Sequence, residues 1–342
     1  MTVKILIFDY KDSEKMFFNK NNFENFDLNF FEESLNENSV NNLPEEILET
    51  TEVISVFVSS FINKNVLEKF KKLKIIATRS TGFKHIDVKT CCERHIKVLN
   101  VEEFGKNAVA QYTFGLIISL LRKIPIAHSD LKQFRFNNND YIGRDLNELT
   151  IGVMGTGYTG AEVCRLANAF NMRILAYDTN ENEAIVKNYN VKYTSKDELI
   201  KNSNIITLHL PNEECNKNII TRKEFADMKA DTYIINTSGN NLINTEDLYS
   251  ALVKKNIAGA ALDVSEGEEI MLTAKQLTTQ IKKISQELLA KLIFTRMIAQ
   301  MPNVIVTSHV AYNTQDSINN ILQTTFNSIQ DCLQGKHTNQ IN

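Results

Sequence analysis

The segment IGVMGTGYTG, residues 151 to 160, carries the strongest structural signal in this chain. Its first residues, Ile151 to Met154, form a short apolar run that is typical of a buried strand. Three glycines follow at the spacing G-x-G-x-x-G, and an apolar pattern with helical period continues from Ala161 to Phe170. The segment therefore predicts a strand, a glycine turn and a helix in that order.

Each glycine of this turn has its own physical role. Gly155 permits the tight turn, Gly157 lets the backbone approach a pyrophosphate, and Gly160 lets the helix pack closely against the strand. The first helical residues, Tyr158 and Thr159, would offer unpaired N–H groups and the positive end of a helix dipole to that phosphate. The turn is therefore predicted to bind a dinucleotide.

A single acidic residue predicts which dinucleotide binds. A second strand, from Arg173 to Tyr177, ends on Asp178. A carboxylate at this distance accepts hydrogen bonds from a ribose 2′,3′-diol. It would repel a 2′-phosphate, and neither Thr179 nor Asn180 is basic. The pattern favours NAD(H) over NADP(H), and it favours a cofactor site over a purely structural turn.

Composition excludes several classes of function. The chain has 342 residues, enough for two domains, and 43% of them are hydrophobic. A formal net charge of −3 provides no basic field for nucleic acid or membrane. No apolar run is long enough to span a bilayer, and the first residues lack the shape of a signal peptide. Five cysteines without metal-ligand spacing indicate reduced thiols and no metal site, so we expect a cytoplasmic protein.

Strands and helices alternate along the chain, which predicts parallel sheets with right-handed crossovers. The asparagine-rich patches 19–29 and 137–139 are predicted to be surface loops. Beyond the two strands already described, the predicted strands are 3–9, 53–58, 75–78, 97–101, 191–193, 205–208, 232–236, 259–264 and 304–307.

Three predicted helices bear on the organisation of the chain. One, from Asn107 to about His128, is apolar almost all round, which indicates burial in the protein or in the interface of a homodimer. A second, at 271–300, is amphipathic. The last, from Asp316 to about Leu333, is predicted to return to the first domain. We therefore expect an α/β fold of two doubly wound domains with a cleft between them, divided into residues 1–103 plus 311–342 and residues 104–310.

Several sequence blocks resemble the D-isomer-specific 2-hydroxyacid dehydrogenases, and in particular their D-lactate dehydrogenase branch. The match covers nearly the whole chain. Besides the glycine turn, the blocks that carry it are Thr78–Asp87, Asn107–Gln111, Leu208–Pro211, Ile235–Thr237, Ala258–Glu268 and Pro302–Tyr312.

The resemblance implies a Rossmann NAD-binding domain, a smaller flavodoxin-like substrate domain and a homodimer. It also implies hydride transfer between NADH and a small 2-keto acid of the pyruvate and D-lactate type. His309 matches the catalytic histidine, whose imidazole would exchange a proton with the C2 oxygen. Glu268 matches the carboxylate that holds this imidazole and raises its pKa.

Further roles follow from the resemblance. Arg79 matches an arginine near the substrate carboxylate, although a solvated charge at the end of a strand is a serious alternative. Asp263 matches an aspartate beside the nicotinamide. The remaining matches to residues around the nicotinamide end of the cofactor are Leu210, Pro211, Asn216 and Thr237.

Two positions depart from the family pattern. Gly239 stands, without any gap, where the family has a catalytic arginine that grips the substrate carboxylate. Phe104 stands where the lactate branch usually has tyrosine. Two hypotheses remain open. The chain is a dehydrogenase that is impaired or draws on another cation such as Arg79 or Arg296, or it is a catalytically degenerate NAD(H)-binding protein that acts through conformation or partners.

Overall fold

The computed structural model describes residues 2–21, 23–101, 105–135, 138–266 and 285–342. The chain divides into two compact units, Met1–Phe104 with Asn313–Asn342, and Gly105–Tyr312. The bounds predicted from the sequence lie one or two residues from these. Phe104 and Glu268 lie outside the described residues.

The first unit contains a five-stranded parallel sheet in the order β2-β1-β3-β4-β5, the order of a flavodoxin-like sheet. Every residue of β3 and β4 is buried, as expected for central strands covered on both faces. The strands are β1 (Val3–Ile7), β2 (Phe26–Phe30), β3 (Val53–Val56), β4 (Ile75–Thr78) and β5 (Lys97–Leu99). The helices are α1 (Lys15–Lys20), α2 (Glu45–Thr50), α3 (Lys64–Lys69) and α4 (Val88–Glu93), with 3-10 turns at Asp12–Glu14 and Ser39–Asn42.

Strand β2 corrects a prediction, because most of it overlaps the asparagine-rich patch 19–29 that is expected to be a loop. It pairs in parallel with β1, with Phe26 opposite Val3 and Phe30 opposite Ile7. Its sequence, FDLNF, alternates apolar and polar residues. This period of two is the signal of a half-buried strand, and it outweighs the asparagine content.

The second unit contains a seven-stranded parallel sheet in the order β12-β11-β10-β9-β6-β7-β8, a Rossmann order with one added strand. The two sheets confirm the predicted α/β fold class. The strands are β6 (Thr150–Met154), β7 (Arg173–Tyr177), β8 (Lys192–Tyr193), β9 (Ile205–Leu208), β10 (Tyr233–Asn236), β11 (Gly259–Leu262) and β12 (Val304–Val306). The helices are α5 (Lys106–Leu121), α6 (Ile124–Lys132), α7 (Tyr158–Ala169), α8 (Glu183–Tyr189), α9 (Lys196–Asn202), α10 (Arg222–Asp227), α11 (Thr245–Val253) and α12 (Gln286–Ala299), with 3-10 turns at Asn138–Tyr141, Leu146–Glu148 and Glu214–Asn216.

The single apolar helix predicted from Asn107 to His128 is two helices. The backbone breaks at Lys123, which has a left-handed φ of 52°, and Pro125 begins the next turn. Helix α5 packs against α7 and is buried within its own unit. Its apolar surface therefore does not require a partner subunit. The large exposed apolar side chains lie after the break, at Ile124, Leu131, Phe134 and Ile142.

The last helix, α13 (Gln315–Leu333), belongs to the first unit. Its Leu322, Phe326 and Ile329 pack in one cluster with Ile5 and Val53 of the sheet. Of the amphipathic helix predicted at 271–300, the structure describes the part that forms α12, and residues 271–284 lie outside the described residues. No described helix combines the length and the apolar character needed to cross a bilayer.

Candidate cofactor and catalytic site

The glycine turn between β6 and α7 is tightly packed below and open above. Gly155 has a φ of 92°, and a Cβ there would lie 2.6 Å from the carbonyl oxygen of His209. A Cβ on Gly160 would overlap the carbonyl oxygen of Gly155. A Cβ on Gly157 would meet no atom within 4 Å. The space over Gly157, at the start of α7, is where a pyrophosphate fits.

Helix α7 begins at Tyr158, with Gly157 as its N-cap residue. The Tyr158 side chain is exposed and Thr159 is half-buried. The ammonium group of Lys106 lies 5.7 Å from the centre of the Tyr158 ring. A positive side chain thus adds to the helix dipole at the point where a phosphate would bind.

Asp178 is tied to the glycine turn through Thr156. The Thr156 backbone N–H and hydroxyl donate to Oδ2 of Asp178 at 2.6 and 3.0 Å, and the N–H of Asn180 donates to Oδ1 at 3.0 Å. Burial opposes ionisation, but the hydrogen bonds from Asn180 and Thr156 outweigh it and lower the pKa of Asp178. Sequence reasoning did not identify Thr156, although a hydroxyl between the first two glycines is a visible signal for such a contact.

The loop after β9 carries three of the residues matched to the nicotinamide end. Leu210 is buried, and Pro211 is exposed. The side-chain amide of Asn216 donates to the carbonyl oxygen of Pro211 at 3.0 Å. This bond closes the loop at the carboxyl edge of the sheet, where ligands of doubly wound folds bind.

The turn after β10 is closed by uncharged groups. The Asn236 amide donates to the Gly239 carbonyl oxygen at 2.8 Å. The backbone of Gly239 is not left-handed, and a Cβ there would lie 3.1 Å from Cβ of Asn212 and 3.1 Å from Cγ of Leu242. Asn212 donates to the side chain of Asn240 at 3.1 Å. A side chain at position 239 would therefore not be strained by a positive φ.

Thr237, in the same turn, lies 2.9 Å from the hydroxyl of Thr113 on α5. Since Thr113 donates its proton to the carbonyl oxygen of Val109, Thr237 is the donor in this pair. The Thr237 hydroxyl therefore keeps acceptor capacity.

Asp263 organises the loop that carries His309. Its carboxylate is fully buried and accepts from the Thr307 hydroxyl at 2.6 Å and from the N–H groups of Val310 and Ala311 at 3.0 and 2.8 Å. The N–H of His309 donates to the Asp263 carbonyl oxygen at 2.8 Å. These contacts fix the backbone around His309, a role that the sequence alone did not reveal.

His309 is exposed and has a left-handed φ of 54°. Its ring lies edge-on to Tyr312, with 6.3 Å between ring centres. A non-glycine residue in this region of φ is uncommon and often marks a functional site. Glu266, two positions before Glu268 in the sequence, accepts from the Thr245 hydroxyl at 2.6 Å and pairs with Lys291 at 2.9 Å.

A sequence model of the protein family described as D-isomer specific 2-hydroxyacid dehydrogenase, NAD binding domain, matches residues 114–311. A 2-hydroxyacid dehydrogenase homolog of Haemophilus influenzae is 34% identical over 98% of this chain and 97% of that protein. This chain belongs to the D-isomer specific 2-hydroxyacid dehydrogenases.

Two further relatives are informative. An aromatic 2-oxoacid reductase of Clostridium sporogenes is 36% identical over 84% of this chain and 85% of that protein. The crystal structure of D-lactate dehydrogenase from Aquifex aeolicus, complexed with NAD and lactic acid, superposes with a TM-score of 0.80 at 31% identity and covers 97% of this chain and 96% of the other. The chain is thus an oxidoreductase of the 2-hydroxyacid dehydrogenase class, and NAD is its cofactor.

In the first unit of this dehydrogenase, Arg79 is buried, with 1% of its surface exposed. Nη1 donates to Ser55 at 3.0 Å, and Nη2 donates to the Phe8 carbonyl oxygen at 2.7 Å. Nε lies 3.2 Å from Oε1 of Glu14, an ion-pair distance without the alignment of a hydrogen bond. Burial lowers the pKa of Arg79, and Glu14 opposes this. The alternative of a solvated charge is wrong; contact with a substrate stays a prediction. Arg296, by contrast, is exposed on α12.

His209 lies beneath the glycine turn of the dehydrogenase. Its Nε2 is 2.9 Å from the Thr207 hydroxyl, and its buried Nδ1 has no partner among the described residues. Burial lowers the pKa of His209 to about 3. The imidazole is therefore neutral in the folded protein over the physiological range.

Proposed function

We propose that this dehydrogenase reduces a small 2-oxo acid, such as pyruvate, to the D-2-hydroxy acid. NADH, when bound, supplies the hydride. His309 gives a proton to the C2 oxygen of the substrate, and Glu268 holds the imidazole protonated. The observation that carries the proposal is the fixed position of the His309 loop on Asp263, at the same sheet edge as the open glycine turn.

Each predicted cofactor residue has a place in this proposal. The backbone of Gly155, Gly157 and Gly160, with the N–H groups of Tyr158 and Thr159, holds the pyrophosphate. Asp178 accepts from the ribose hydroxyls and disfavours NADP(H). The residues that hold the nicotinamide end are Leu210, Pro211, Asn216, Thr237 and Asp263, of which Asp263 acts by fixing the loop of His309.

The substrate carboxylate is proposed to lie on the loop after β4. The N–H groups of Thr81, Gly82 and Phe83 donate to no acceptor among the described residues. A Cβ on Gly82 would meet no atom within 4 Å, so there is space for a ligand. Successive N–H groups of this kind form an anion-binding concavity. Arg79 lies at the base of this loop, where Glu14 already pairs with its charge, so the N–H groups are proposed to bind the anion.

Turnover tests the proposal directly. NADH oxidation is followed with pyruvate and with larger 2-oxo acids, including phenylpyruvate because of the name of the Clostridium relative. NADH binding is measured in parallel by fluorescence. Turnover that falls roughly 10²-fold or more in a folded His309→Gln variant supports the proton-donor role. Turnover that survives this change contradicts it.

A second candidate is a catalytically degenerate NAD(H)-binding protein that acts through conformation or partners. It is favoured by Gly239, because the amides around this turn cannot replace a guanidinium that would clamp a carboxylate. Tight NADH binding without turnover of any 2-oxo acid would favour this candidate.

We also propose a cytoplasmic homodimer. The support is the exposed apolar set after α5, in which Phe134 is 97% exposed and Ile142 is 74% exposed. Sedimentation that shows a stable monomer at micromolar concentration would rule the dimer out.

A further inference from the structure

Three side chains at the carboxyl end of β4 form a continuous chain of hydrogen bonds. Nε2 of His85 lies 3.1 Å from the Thr78 hydroxyl, which lies 2.7 Å from the Ser80 hydroxyl. The Ser80 hydroxyl donates to the carbonyl oxygen of Gly82 at 2.7 Å. This series of hydrogen bonds therefore ends on the backbone of the loop whose N–H groups donate to no acceptor among the described residues.

The number of available protons fixes the direction of donation along this series of hydrogen bonds. Ser80 donates its only hydroxyl proton to the carbonyl oxygen of Gly82, so Thr78 must donate to Ser80. Thr78 then has no proton left for His85, so the ring nitrogen Nε2 of His85 must carry a proton and donate to Thr78. The order of donation is His85, Thr78, Ser80 and Gly82, and it fixes the tautomer of neutral His85.

The hydrogen bonds of Thr78 and Ser80 are costly to lose because both hydroxyls are buried. Thr78 is 0% exposed and Ser80 is 4% exposed, so neither hydroxyl has water as a substitute partner. The other side of the loop is tied separately. The Asn100 amide donates to the Thr81 carbonyl oxygen at 3.0 Å, and the Thr81 hydroxyl donates to the Val101 carbonyl oxygen at 2.9 Å. The loop is thus held from two sides, and the His85 chain holds the side of Gly82.

We propose that His85 and Thr78 are positioning residues, which set the shape of the loop 80–83 so that its N–H groups converge on the substrate's carboxylate. This inference rests on the proposed function. Its physical basis is that a carboxylate needs two or more N–H groups aimed at one point, and a free loop would lose that aim. Neither residue touches the substrate; both act through the backbone of Gly82.

The test compares two changes at one buried position. Thr78→Val keeps the shape of the side chain and removes the hydroxyl, whereas Thr78→Ser keeps the hydroxyl. We expect Thr78→Val to raise KM for the 2-oxo acid roughly 3- to 10-fold, the effect of one buried neutral hydrogen bond, with kcat and the Kd of NADH little changed. Thr78→Ser should stay close to the wild type. His85→Leu should repeat the loss, and His85→Gln, which keeps an N–H donor, should recover part of it.

Binding of oxamate to the NADH complex, measured by calorimetry, provides a readout that does not need turnover. Weaker oxamate binding in Thr78→Val but not in Thr78→Ser supports the inference. If folded Thr78→Val and His85→Leu bind oxamate like the wild type, or if Thr78→Val and Thr78→Ser lose NADH and oxamate binding together, the inference is overturned. Wild-type protein that binds NADH but not oxamate overturns it too. If no 2-oxo acid is turned over but Thr78→Val still binds oxamate more weakly than Thr78→Ser and the wild type, the proposed function is overturned and this inference is supported.

Discussion

Two turns of the seven-stranded sheet contain glycine for different reasons. After β6, a side chain at Gly155 or Gly160 would collide with backbone, and Gly155 has a left-handed φ. After β10, Gly239 has no left-handed φ, and a Cβ there would lie 3.1 Å from Cβ of Asn212 and from Cγ of Leu242, so these neighbours would have to shift by only a few tenths of an ångström. The fold therefore requires glycine in the first turn and tolerates larger residues in the second. The second turn can therefore accept arginine, the residue that the resemblance implies for position 239, without backbone strain.

The largest expected effect comes from Gly239→Arg. A guanidinium here would grip the carboxylate and strengthen its hold as the carbonyl becomes an alkoxide, so we expect kcat/KM toward a 2-oxo acid to rise roughly 10²-fold. Gly239→Met is the control, because it has similar bulk without charge. NADH affinity should hardly change in either variant. A folded Gly239→Arg protein with normal NADH binding and no gain in activity would show that the missing arginine does not limit turnover.

Gly160→Ala should break the first turn. The Cβ of the new alanine would overlap the Gly155 carbonyl oxygen, so α7 must move. We expect the free energy of unfolding to fall by about 1–3 kcal/mol and NADH affinity to fall more than tenfold. Gly239→Ala, with its looser surroundings, should cost about 1 kcal/mol or less. Denaturant unfolding and NADH fluorescence measure both. Equal losses in the two variants would refute the distinction between the turns.

Asp178 separates cofactor binding from the stability of the first turn, because it accepts hydrogen bonds from Thr156 and is proposed to accept them from the ribose of NADH. Asp178→Asn should narrow the preference for NADH over NADPH roughly tenfold, since one charged acceptor is lost. Asp178→Ala should narrow it as well and also weaken NADH binding, because Thr156 loses its acceptor. The dissociation constants of both cofactors are measured for all three proteins. Equal wild-type affinities for NADH and NADPH would sink the predicted specificity.

The smallest effect concerns His209, beneath the first turn. Its pKa is lowered to about 3 by burial, against 6.5 in the unfolded chain. As the pH falls below 6.5, the unfolded chain gains a proton that the folded protein cannot take, so stability should decline by up to about 1.4 kcal/mol per pH unit. In His209→Asn this part of the slope should vanish. The free energy of unfolding of both proteins is measured at pH 7, 6 and 5. The same dependence on pH in the wild type and in His209→Asn would contradict the buried neutral imidazole.

The sequence predicted those parts of the fold that local patterns determine. The glycine turn and the central strands follow from short apolar runs with clear spacing. Strand β2 was missed because composition was given more weight than its alternation FDLNF. The break at Lys123 was missed because apolar residues continue on both sides of it.

The sequence indicates candidate site residues but not the contacts between them. His309 and Asp263 stand in recognisable blocks, but the hydrogen bonds from Asp263 to the His309 loop join residues 47 and 48 positions apart. Arg79 was expected to be either solvated or at the substrate, and its burial against Glu14 depends on packing between distant segments. The chain of hydrogen bonds from His85 likewise follows from backbone geometry that a pattern of residue types does not contain.

The return of α13 to the first unit has a consequence for synthesis. The sheet face formed by Ile5, Val53 and Ile75 is covered by residues of α13, which leave the ribosome about three hundred residues after β1. The unit Gly105–Tyr312 is continuous, so the nascent chain can complete it first. We expect limited proteolysis of a released chain truncated after residue 312 to spare this unit and to cut residues 2–101. We therefore expect residues 2–101 to finish folding after Gly105–Tyr312, although they are made before it.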